Sequence, residues 1–191
     1  MPLEVSVLLG QIATVATMVF LACLCLIASA HKFFDLLGFK KIVEDYQVLP
    51  AALISLAVWG LPLFELIIGI AVLLPATSSI AAFAIGGLFA LYAVAMLSTI
   101  LRGKKLEDCG CGGPAQVRGQ AQVLGAWHIV RNLILVVMAM WVAMGNAGVL
   151  QMVDMQTWLL IIPASVFLVL LYWVADTLAA NHVLMNPVRN R

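Results

Sequence analysis

The sequence predicts an all-α membrane protein, a bundle of about five transmembrane helices with a short amphipathic segment after the first. Three observations carry that prediction. Of 191 residues, 64% are hydrophobic and only 10% are charged, whereas a water-soluble domain is about half apolar and a quarter charged. The apolar residues fall into five runs near the ~20 residues that a helix needs to cross the hydrocarbon. Every lysine and arginine falls on one side of the arrangement that five crossings impose.

The runs are residues 8–30, 53–75, 79–101, 127–150 and 157–180. Inside a bilayer each backbone N–H and C=O needs an internal partner, so runs of this length are helices. Pro75-Ala76-Thr77-Ser78-Ser79 makes a tight turn between the second and third, and Gly145-Asn146-Ala147-Gly148 loosens the end of the fourth. The first run ends in Ala28-Ser29-Ala30, which resembles a signal-peptide cleavage site. The segment before it carries Glu4 and no positive charge, and the run exceeds an ordinary signal core, so it is read as a retained helix. After it, residues 31–46 mix apolar and charged side chains, the pattern of a short helix lying on the membrane surface. Residues 1–180 are thus expected to form a single helical membrane domain, with 181–191 as a C-terminal tail.

Five crossings place the loops after spans one and three and the C-terminal tail on a common side. That side holds Lys32, Lys40, Lys41, Arg102, Lys104, Lys105, Arg118, Arg131, Arg189 and Arg191, which is every cation among the ten lysines and arginines. The positive-inside rule assigns it to the cytoplasm and the N-terminus to the outside. The basic residues are too sparse to follow a phosphate backbone, so no nucleic-acid partner is expected; the partner that composition implies is the lipid bilayer.

Four cysteines occur as two C-x-C pairs. Cys109 and Cys111 flank Gly110 in Glu107-Asp108-Cys109-Gly110-Cys111-Gly112-Gly113-Pro114 between spans three and four. A glycine lets the backbone turn tightly enough for neighbouring thiols to close a disulfide. A small ring of this kind is strained, which favours exchange. Arg102, Lys104, Lys105 and Arg118 favour the attacking thiolate, while Glu107 and Asp108 oppose it. Cys109 and Cys111 therefore form a candidate redox pair, with a glycine-rich turn of unreactive thiols as the alternative. No metal is expected, because two thiolates plus His128 leave a ligand missing. Cys23 and Cys25 lie in the first helix, about 200° apart around its axis, and so cannot bond each other. Either could act as an exchange partner for the loop or simply pack as a small apolar residue.

Further polar residues fall inside the spans. Glu65 lies near the middle of span two, one turn after Pro62; an ionisable group at that depth requires neutralisation or pairing. It is read as a proton carrier, a binding group for a polar ligand or a tie between helices. Lys32 ends span one, and Trp127, His128, Arg131 and Asn132 open span four, near Asp176 of span five. Lys32, His128, Arg131 and Asn132 are candidate binding residues. Against this stands simple anchoring at the membrane boundary, with Arg131 paired to Asp176.

In order along the chain, Ala30-His31-Lys32 with Asp35, Tyr46-Gln47-Val48-Leu49-Pro50, Pro62 with Glu65 and Gly69, Arg102-Gly103, Asp108-Cys109-Gly110-Cys111-Gly112 and Arg131-Asn132 resemble the MauE/DoxX-like family of redox-associated membrane proteins. The resemblance runs from about residue 8 to about residue 150. It departs at Gly112-Gly113, where relatives often carry an aromatic residue after the second cysteine. What it implies is an accessory role in methylamine dehydrogenase maturation in the bacterial cytoplasmic (inner) membrane. The task would be processing, export or disulfide formation of the small quinone-bearing subunit, together with the thioredoxin-like protein MauD. Thiol–disulfide exchange through the C-G-C loop is the mechanism that suits this task. A variant passes electrons to or from a quinone held by His128 or Arg131, a cofactor that no residue demands. The competing readings are a non-redox assembly or export factor with structural cysteines, and a small-substrate transporter with Glu65 as proton carrier. The charge rule puts the loop at the cytoplasmic face, while the implied client matures in the periplasm. The loop folds back into the bundle, electrons cross the membrane, or the topology is inverted.

Labelling reduced Cys109 and Cys111 with a membrane-impermeant thiol reagent separates these cases. The charge distribution predicts modification in opened cells and none in intact ones.

Overall fold

A computed structural model of the chain describes residues 2–103, 126–145, 149 and 153–185. The described residues form six helices: α1 (Pro2–Phe34), α2 (Leu36–Tyr46), α3 (Ala51–Ala71), α4 (Ser78–Leu101), α5 (Ala126–Met144) and α6 (Met155–Met185). Five of them are long and apolar enough to cross a membrane, α2 being the exception. The fold class expected from the sequence is therefore the one observed, that of a multi-pass membrane protein. Large apolar side chains such as Leu56, Trp59, Leu91, Val137 and Phe167 point outward, as a lipid-facing surface requires.

The centre of the bundle is α1. In its apolar window 56% of residues are buried, against 11% in α6, which lies along the outside. Its buried stripe, including Phe20, Leu21, Leu24 and Cys25, packs on Ile68 of α3, Ile85 of α4 and Leu135 of α5. Side chains contribute no hydrophobic drive between helices already in lipid, so close backbone approach matters more. Two seams show how it is reached. Ala82 and Gly86 of α4 face Ala139 and Ala143 of α5 in the most extensive helix pair, and Ser79 donates to the Ala143 carbonyl at 2.7 Å. On the other side, α1 meets α3 at Gly69, where an added Cβ would stand 3.0 Å from the Cβ of Cys25. Further along that seam the Ser29 hydroxyl donates to the Pro62 carbonyl at 2.8 Å.

The surface helix α2 is built by its own capping. Asp35 accepts a hydrogen bond from the Gly38 amide at 2.9 Å, satisfying an orphan donor of the first turn. Gln47 closes the other end in the left-handed conformation (φ 48°). Phe39, Ile42, Val43 and Tyr46, spaced i, i+3, i+4, i+7, turn toward the bundle, and Lys40 and Lys41 face out. Arg102, just past α4, donates to the Gln47 carbonyl at 3.1 Å and so ties the end of α4 to the end of α2. At the opposite end of the molecule Asp154 caps α6. Its carboxylate accepts from the side chain and the amide of Thr157, which holds its pKa below the usual carboxylate range.

Gly69→Leu forces α1 and α3 apart and is expected to lower the melting temperature of the detergent-solubilised protein, at a cost of about 1–3 kcal/mol for overpacking. Gly87, beside which a Cβ meets nothing within 4 Å, supplies the control: Gly87→Leu leaves the melting temperature unchanged or raised.

Candidate functional site

One end of this bundle concentrates the polar chemistry. Helices α4 and α5 run antiparallel, which puts Arg102 and Ala126 at the end where α1 finishes and α3 begins. Here α1 presents Lys32, and α3, running back toward the other side, presents Glu65 a few turns in. The ammonium of Lys32 donates to Glu65 Oε1, and the Tyr92 hydroxyl of α4 donates to the same oxygen at 2.6 Å. Lys32 is 3% and Glu65 2% exposed. The Lys32 ammonium also lies over the rings of Phe39 (5.5 Å) and Tyr92 (5.3 Å), whose negative faces add to its stabilisation. Glu65 Oε2 is buried and accepts no hydrogen bond among the described residues.

A second buried pair stands beside the first. Arg131 of α5 donates from Nη1 to Asp176 Oδ1 of α6, with Arg131 4% and Asp176 1% exposed. Its guanidinium lies 5.5 Å over the ring of Tyr172, which in turn meets Phe20 of α1 edge-on at 6.1 Å. Next to it Asn132, also buried, donates to the His128 carbonyl at 2.8 Å and approaches Met96 Sδ at 3.5 Å. The two pairs adjoin a common small cavity lined by Lys32, Glu65, Tyr92, Arg131, Asn132 and Tyr172, among others. A larger, mostly apolar cavity of about 140 Å³ lies on the other side of Lys32 and Tyr92, roofed by α2.

Opposite charges at this depth are expensive to bury singly and nearly balanced when paired. The two pairs sum to zero and tie α1 to α3 and α5 to α6. Of the residues the sequence singled out, Lys32, Glu65, Arg131 and Asn132 come together around one cavity. His128 is buried nearby but does not line it. Cys25 lies against Gly69, two turns of α1 below Lys32, while Cys23 is half-exposed; both are free thiols. Cys109 and Cys111 lie outside the described residues. Tyr92 and Tyr172 were missed, and Tyr46 was noted only as part of a motif; these three, all the tyrosines in the chain, stand at this end and line one cavity or the other. Their clustering at one side of the five predicted spans was the available signal.

Replacing one partner is expected to destabilise more than replacing both. Glu65→Leu or Lys32→Met alone leaves a buried charge and costs on the order of 3–5 kcal/mol. The double variant should recover most of that, read as melting temperatures in a double-mutant cycle.

Comparison with known proteins gives this arrangement its family. The family profile described as "Methylamine utilisation protein MauE" matches residues 10–145. The chain is similar to the methylamine utilization protein MauE of Methylophilus methylotrophus, 31% identical over 140 residues, covering 72% of this chain and 70% of that protein. It is also similar to the protein of that name from Paracoccus denitrificans, 28% identical over 130 residues, covering 68% of each chain. No solved structure matches it significantly. The matched segment contains Lys32, Glu65, Tyr92, Arg131 and the C-G-C pair, and the chain belongs to the MauE family.

Proposed function

We propose that this protein is a membrane accessory factor of methylamine utilisation that supports maturation of the small, quinone-bearing subunit of methylamine dehydrogenase. It would do so in the bacterial inner membrane by thiol–disulfide exchange between Cys109/Cys111 and a thioredoxin-like partner, MauD. The observation that supports this reading most is the placement of the helix ends that flank the C-G-C segment. Arg102 is tied to the end of α2, and α5 begins beside the buried Arg131–Asp176 pair. A thiol pair carried between two fixed helix ends suits a reaction that needs repeated docking of a partner.

In the exchange, the thiolate of one cysteine attacks a disulfide sulfur of the partner and a mixed disulfide forms. The second cysteine then attacks its neighbour, releasing the partner as a dithiol. Two electrons and two protons pass from this chain to the partner, and the reverse sequence runs with oxidised Cys109–Cys111 and a reduced client. The ion pairs take no part in that chemistry; they hold the platform. The second reading, a non-redox export or assembly factor, draws on α2, whose exposed Lys40, Lys41, Phe34 and Leu37 present a mixed surface beside the same helix ends.

Cys109→Ser and Cys111→Ser are each expected to abolish accumulation of active methylamine dehydrogenase, by at least tenfold, while the membrane level of the variant stays that of the parent. Non-reducing electrophoresis of the Cys111→Ser strain should trap a mixed disulfide with the partner. Full dehydrogenase activity in both variants, with loss on Lys40→Glu/Lys41→Glu, establishes the non-redox reading instead.

A further inference from the structure

Tertiary packing leaves one large void that no function so far discussed uses. Part of the inner stripe of α2 rests on α4, Tyr46 against Met96 with Ile42 and Ala95 beside them, and Phe39, Ile42, Val43 and Tyr46 also border a cavity of about 140 Å³ between α2, α3 and α4. Its floor is Leu61 of α3 with Leu91, Ala95 and Met96 of α4, and almost all of its wall is apolar. Leu91 is 56% exposed on the outer surface of the bundle, so the cavity borders the lipid-facing side. The polar side-chain groups among the residues that line it are the ammonium of Lys32 and the hydroxyls of Tyr46 and Tyr92. Of the three donors on the Lys32 ammonium, one is engaged by Glu65 Oε1.

A void with apolar walls and a buried donor at its end selects its ligand by three requirements. The body must be largely apolar, since apart from Lys32 and the two tyrosine hydroxyls the side chains that line the cavity would not compensate a buried polar group. The head must accept a hydrogen bond, because Lys32 has donors to give. It must also be uncharged: Lys32 is already neutralised by Glu65, so a phosphate or carboxylate head would bring an uncompensated charge out of water. That excludes phospholipid head groups and fatty-acid anions. The rings of Phe39, Tyr46 and Tyr92 in the wall favour a flat head that can stack on them.

We infer that the cavity beneath α2 is a binding site for a membrane quinone, its ring among Phe39, Tyr46 and Tyr92, one carbonyl accepting from Lys32 and its chain leaving past Leu61 and Leu91. The assignment differs from a site at His128 or Arg131, neither of which lines this cavity. It is independent of the thiol-exchange proposal, since it concerns binding alone and uses none of the cysteines.

The test uses the full chain in phosphatidylcholine nanodiscs with decylubiquinone as probe and an azido-quinone for photolabelling. Decylubiquinone is expected to raise the melting temperature saturably, and the photolabel to map to peptides of α2, α3 and α4. Ala95→Phe, which fills the void without touching the ion pair, should weaken binding by about tenfold or more while the unliganded melting temperature stays near the parent value. Lys32→Met/Glu65→Leu, which removes the donor and its counter-charge together, should weaken it likewise. Monoolein, a neutral ester with an apolar chain and no ring, should not compete. Absence of a saturable shift, labelling confined to α5 and α6, or equal competition by monoolein overturns the assignment. If Ala95→Phe fails to fold, the labelled peptides and the monoolein competition in the parent protein decide the matter. Cys109→Ser/Cys111→Ser should bind decylubiquinone as the parent does, so failure here and failure of thiol exchange are read separately.

Discussion

The charge of Lys32 has to be neutralised in a place water does not reach, and much of this structure is arranged around that requirement. Lys32 leaves α1 at the boundary of the apolar run, and Glu65 sits well inside its own run, so neither finds a partner on its own helix. They meet because α1 and α3 run antiparallel at close range, and close range is available because Gly69 has no side chain to hold Cys25 away. Tyr92 then brings α4 to the same carboxylate oxygen. Three helices are thus joined at one atom, Glu65 Oε1.

The Arg131–Asp176 pair repeats the solution on the other side of the small cavity, joining α5 to α6. Its two halves have different standing in the comparisons. Arg131 lies within the segment that matches the MauE family, whereas Asp176 and Tyr172 lie beyond it, in a helix that is mostly exposed. The family-matched part of the chain therefore carries a buried cation whose counter-ion, in this protein, comes from α6. Each buried pair is neutral in itself, so the small cavity between them adjoins no uncompensated buried charge, which is what permits a cavity with polar walls to persist there.

Much of the architecture was legible in advance. Apolar runs, turn residues and the one-sided distribution of lysine and arginine suffice for five crossings and for a short amphipathic surface helix after the first. The Arg131–Asp176 pair was also readable, because both residues fall at the same depth near the same boundary. The partner of Glu65 was not: Lys32 stands out as a candidate binding residue at the end of span one, but nothing in its own segment shows that its side chain turns inward to meet Glu65. Tyr92 was overlooked for a related reason: a single phenol in an apolar helix has no periodicity to mark it, and only its depth beside the other tyrosines sets it apart.

What the sequence by itself determined is the set of elements, their order, their likeness to one membrane family and the side on which the cations gather. These follow from local hydropathy, from chain connectivity and from short motifs, none of which needs to know which helix touches which. The tertiary structure decided the pairing of the charges, the closeness of α1 to α3 and the void beneath α2. Those depend on the rotation of each helix about its axis and on the space left when large and small side chains meet. In lipid every face of such a helix is nearly as apolar as the next, so hydropathy alone carries no record of which face turns in.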